Sequence, residues 1–126
     1  MAEFSKQTAL TFVTDSDLSA SAYRCVAMDG GGLVGITTST TVPPIGILTD
    51  NVADGSGEPA AVSVAISGVA KVEAGAAIAS GVGVMPATGG KVITATSGNI
   101  AIGIATVASL ADGNIITVII DRYEFT

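Results

Sequence analysis

The side chains able to do chemistry in this 126-residue chain are few and scattered. Histidine is absent, so the commonest general base and every Ser-His or Cys-His nucleophile pair are missing. Cys25 stands alone, which rules out an intrachain disulfide and reads as a small buried hydrophobe. Without His or further Cys there is no cluster with zinc-ligand spacing. Asp50, Asp54 and Glu58 are close in sequence, but their spacing lacks the ligand ladder and terminal bidentate Glu of a calcium loop. Asp54 and Asp112 each precede a glycine in an Ala-Asp-Gly step, where a short carboxylate serves local hydrogen bonding in a turn. Asp54-Gly55-Ser56-Gly57 departs from the aspartic-protease signature by carrying Gly in place of the hydroxyl residue.

Lys71, within Val69-Ala70-Lys71-Val72-Glu73, slightly resembles the modified lysine of biotinyl and lipoyl carrier domains. It lies inside an alternating strand pattern and not at a hairpin tip, so a solvated strand lysine is the simpler reading. Gly30-Gly31-Gly32 and Gly81-Val82-Gly83 lack the Lys-Ser/Thr that follows a phosphate loop and read as turns. The chain is therefore expected to be no enzyme and to hold no cofactor or metal.

Eleven acids against five bases give a formal charge of −6. The bases, Lys6, Arg24, Lys71, Lys91 and Arg122, are dispersed singly, where a nucleic-acid binder gathers them into a patch. No apolar run reaches the ~20 residues that a spanning helix needs, so no membrane partner is expected. The N-terminal residues lack the basic and apolar regions of a secretory signal, and synthesis and retention in a cytoplasm are expected.

The elements that carry these residues read as all-β. Hydrophobic residues make up 48% of the chain, chiefly Ala, Val and Ile, and 16 glycines punctuate them. Branching at Cβ suits the pleated surface of a strand, and glycine permits the turns between strands. Strands are expected at 23–28, 33–36, 45–49, 61–66, 92–95, 102–106 and 115–120. Asp29-Gly30-Gly31-Gly32, Thr88-Gly89-Gly90-Lys91 and Ala111-Asp112-Gly113-Asn114 are turns, and Pro43-Pro44 closes a crossover loop. The glycine-broken stretch 68–85 reads as strand, tight turn and strand. Residues 115–120 are apolar on both faces except at Thr117, as in a strand buried on both sides.

The order Ile-Gly-Ile, Ala-Asp-Gly and apolar strand occurs twice, with offsets of 57 at the glycines (103 minus 46) and 58 at the aspartates (112 minus 54). Two copies suggest an internal duplication. The whole is expected to be a compact β-sandwich or barrel-like domain at 22–126, preceded by an extended N-terminal arm at 1–21. Within that arm Leu10 and Phe12 alternate onto one face, as an edge strand of the domain or as an arm laid on a neighbour.

Taken together, Ile45-Gly46-Ile47, the run 62–70, the run 72–81, Ile102-Gly103-Ile104-Ala105 and Ala111-Asp112-Gly113 resemble the phage capsid decoration (cement) family. The resemblance implies a β-tulip or barrel-like fold and a trimer. It also implies a place on the outer surface of the mature, expanded virion capsid, with the major capsid protein as partner. On that footing Phe4, Leu10 and Phe12 are candidates for a capsid-binding arm, and Ile116, Val118, Tyr123 and Phe125 for an oligomer interface. The Ser/Thr-rich link before Pro43-Pro44 and the tail Tyr123-Glu124-Phe125-Thr126 depart from the family pattern. The alternatives are a carrier or small-ligand-binding β domain and a tail or fibre component.

Overall fold

The structure, a computed structural model, describes residues 7–14, 22–29, 31–37, 43–49 and 61–124. All regular structure among them is β: β1 Gln7–Val13, β2 Cys25–Met28, β3 Val34–Ile36, β4 Gly46–Leu48, β5 Ala61–Glu73, β6 Gly83–Pro86, β7 Val92–Thr94, β8 Ile100–Ala105 and β9 Ile115–Glu124. The strands form one curled, wholly antiparallel sheet in the order β3-β2-β4-β5-β9-β8-β6-β7, with β1 also on β5. The all-β, barrel-like reading is therefore what the chain adopts.

The order is the same unit twice. β2 pairs with β3 and β4, and β6 pairs with β7 and β8; β4 and β8 then pair with β5 and β9, which lie against each other. The registers coincide residue for residue. Val26 faces Ile36 and Val84 faces Thr94, an offset of 58 at both ends (84 minus 26, 94 minus 36). Ile47 faces Ala65 and Ile104 faces Ile119, offset by 57 (104 minus 47) and 54 (119 minus 65), so the second unit is three residues shorter between its last two strands. Even the unusual backbone repeats: Tyr23, with φ 66°, corresponds to Gly81, with φ 84°, and Gly32 at 84° to Gly90 at 81°. The two-copy pattern in the sequence is thus a duplicated four-strand unit.

The Ile-Gly-Ile glycines explain themselves in this setting. A Cβ on Gly46 would run into the carbonyl oxygen of Ala65, and one on Gly103 into that of Ile119. Each glycine lets its strand press against the long strand beside it, and the flanking isoleucines supply apolar volume: Ile47 and Ile102 are fully buried.

β5 is the hinge of the architecture. Its Gly68, where the sequence pattern implies a break, instead continues the strand with φ 87°. Just before it, consecutive Thr8 and Ala9 pair with Ser67 and Ala65, leaving Ile66 as the extra residue of a β-bulge. One inserted residue shifts the in-out alternation by one place. Accordingly Ala65 and then Ala70, Val72 and Ala74 face the main core, an odd residue followed by even ones. That core also takes Cys25, Ile47, Val84, Val92, Ile102, Ile116 and Val118. Val26, Val34, Leu48, Val62 and Val64 form a second cluster, with Phe12 packed against it. The described part of the N-terminal segment is thus a strand of this chain's own sheet.

Candidate functional site

Most groups singled out for chemistry are committed to structure. Cys25 is buried in the main core, and loss of solvent around a thiolate pushes its pKa up to about 12. Lys71 stands mid-strand opposite Thr117, where no hairpin tip presents it. Among the described residues no group of three or more His, Cys, Asp or Glu could hold a metal ion. Asp50, Asp54 and Glu58 lie outside the described residues.

Asp112 does something other than the local turn bonding expected of it. Asn114 caps that turn, its Oδ1 accepting from the backbone N–H of Leu110 at 2.9 Å and of Ala111 at 3.2 Å. The Asp112 carboxylate instead takes the ammonium of Lys91 at 2.9 Å. Lys91 also reaches Glu73 at 3.4 Å, and Glu73 accepts from Arg24 Nε at 3.3 Å. Arg24 donates as well to the carbonyl of Gly89, and the Cys25 N–H to that of Gly90 at 2.7 Å. Two residues from the first unit, Arg24 and Glu73, are thereby clasped to two from the second, Lys91 and Asp112. The Lys91 pKa is held above its usual value, first by the hydrogen bond to Asp112, with Glu73 adding to it.

The candidate contact residues divide. Leu10 is 47% exposed on β1, and Phe12 is half-buried against the second cluster. Phe4 and Phe125 lie outside the described residues. Ile116 and Val118 are corrected: they turn into the main core at 2% and 0% exposure, and their side chains are spent within the chain. β9 is not buried on both faces either, because the alternation that sends Ile116 and Val118 inward sends Ile115 and Ile119 outward, at 47% and 48%. Ile119 faces Val69 on one side and the exposed Ile104 on the other, an apolar row across three strands. Sequence reasoning missed that row; the signal for it was Ile104 itself, next to a glycine that makes its neighbour strand approach.

Tyr123 is half-buried, packing with Met85, Ala95 and Ala101 in a third small cluster. It also lines a cleft of about 540 Å³ with Ile66, Ser67, Ile100, Ile120, Asp121 and Pro43. The cleft opens where β5 and β9, the last strands of the two units, meet.

With this geometry in hand, comparison with known proteins is informative on fold. No protein-family model matches the chain, and no curated protein matches it. Among solved structures it is similar to the N base of the head fibre gp8.5 of bacteriophage phi29. The TM-score is 0.71 at 18% sequence identity, over 94% of this chain and 99% of that one. The two share an all-β fold along nearly their whole lengths.

Proposed function

We propose that this chain is a structural protein of a phage head: a decoration (cement) protein that binds the outer surface of the expanded capsid and stabilises it against internal DNA pressure. The observation that carries this reading is the likeness of fold, over nearly the whole of both chains, to a protein of a phage head. The sequence resemblance to the cement family points the same way. The role is a non-enzymatic one, since Cys25 is shut in the core and Asp112 and Lys91 are occupied with each other.

The major capsid protein is the partner, with further copies of this chain in a homotrimer; neither nucleic acid nor membrane is engaged. A protein that binds only the expanded lattice stabilises it by mass action, and a trimer multiplies weak contacts through effective concentration. The N-terminal residues Phe4, Leu10 and Phe12 supply the capsid contact, Leu10 from an exposed position. Phe125 serves the oligomer, joined by Ile104 and Ile119, the apolar residues that β8 and β9 leave outside.

A second reading, the base of a head fibre, is favoured by the name of the phi29 protein. Cryo-electron microscopy of heads dressed with the protein separates the two. Compact density at three-fold positions is expected of cement; long projections would favour the fibre base, and bare heads would reject both.

A further inference from the structure

The cleft between β5 and β9 is built by the duplication. Three pairs of its lining residues are equivalents in the two units: Pro43 with Ile100 by the 57 offset (100 minus 43), and Ile66 with Ile120 and Ser67 with Asp121 by the 54 offset (120 minus 66, 121 minus 67). Four of these six are aliphatic or proline walls, matched across the junction. The remaining pair breaks the match, because the second unit places a carboxylate, Asp121, where the first has the neutral Ser67. Asp121 is exposed and takes part in none of the ion pairs among the described residues, whose acids are Glu73 and Asp112. Tyr123, two residues on from Asp121, adds an aromatic ring to the lining.

A cleft whose lining mixes polar surface with four aliphatic or proline side chains and one carboxylate can take a long aliphatic stem with a cationic head. Between the two natural candidates, arginine is the better match: its guanidinium is less strongly hydrated than an ammonium, pairs with a carboxylate through a planar fork and stacks on aromatic rings. We propose that the cleft is a binding site for an arginine side chain presented by the protein partner. The stem lies along Ile66, Ile100, Ile120 and Pro43, and the guanidinium pairs with Asp121 beside Tyr123. A net charge of −6 assists the approach of such a basic partner. The inference rests on the head-surface reading only for naming the capsid protein as the owner of that arginine.

The site can be tested without heads. n-Propylguanidinium, the side chain alone, titrated into protein with labelled isoleucine methyls should shift Ile66, Ile100 and Ile120, while n-propylurea, its neutral counterpart, should shift them several-fold less. In D121N the propylguanidinium affinity should fall about fivefold, the upper range for an exposed ion pair. Equal response to both probes, or shifts confined to other isoleucines, would overturn the proposal.

On heads, D121N is compared with S80K, a change at an exposed turn position away from the cleft that alters net charge by the same single unit. D121N should weaken head binding and S80K should not. Binding by wild type that D121N leaves intact overturns this site alone; failure of wild type to bind overturns the head-surface reading and leaves the probe titration to decide the cleft.

Discussion

Gly46 and Gly103, 57 positions apart (103 minus 46), stand in one and the same relation to the strand beside them: a Cβ on either would strike a backbone carbonyl oxygen, of Ala65 or of Ile119. Backbone cannot step aside as the end of a side chain can. The duplicated unit is therefore anchored twice by the same close approach of a short strand to a long one.

Gly46→Ala and Gly103→Ala should each destabilise the fold by about 1–3 kcal/mol through overpacking. Gly98→Ala is the comparison, since φ there is 88° but nothing lies within 4 Å of an added Cβ, leaving backbone strain alone at about 1 kcal/mol. Urea midpoints check the ranking. A Gly98 variant less stable than both others would contradict it.

The clasp between the units makes stability fall at alkaline pH. Lys91 holds its proton more tightly folded than unfolded, so its contribution is complete below the ordinary lysine value of 10.5 and is lost as pH rises through the higher folded value. Denaturant unfolding on either side of 10.5 should show wild type losing more than Lys91→Met, and the two converging at the alkaline end. Parallel curves would remove Lys91 from the clasp.

Cys25 should be silent towards a thiol reagent in the native protein at neutral pH, and react fully on unfolding, because the thiolate is both buried and disfavoured up to about pH 12. Rapid labelling of the native state would mean that the main core opens near β2.

Ile119 and Ile116 differ by three positions and face opposite ways, which allows a clean comparison. Ile116→Ala should cost about 2–5 kcal/mol as a core truncation. Ile119→Lys should leave the fold intact and weaken self-association, read by sedimentation of the purified protein. A destabilised fold in Ile119→Lys, or an unchanged oligomer, would detach the outer row from assembly.

Much of this was legible before the structure. Strands at 25–28, 34–36, 46–48 and 92–94 follow from branched apolar residues closed off by glycine turns, and the repeated Ile-Gly-Ile exposed the duplication. The long strand β5 was not legible as one element, because Gly68 ordinarily ends a strand and here absorbs the bulge that turns it. Neither was the left-handed Tyr23, although its equivalent Gly81 was a hint that could have been used. The clasp escaped because Arg24 and Glu73 are 49 residues apart and Lys91 and Asp112 are 21 apart, pairings that only the curled sheet brings together. Ile116 and Val118 escaped for a different reason: five apolar residues among the six of 115–120, broken only by Thr117, hide which alternate set faces inward. The cleft needed both units in place before its lining residues could be matched.

The most direct measurement of the central claim is co-sedimentation of the purified protein with expanded and with unexpanded phage heads. A head-surface cement protein should pellet with expanded heads and stay in solution with unexpanded ones. No binding to either would contradict the account.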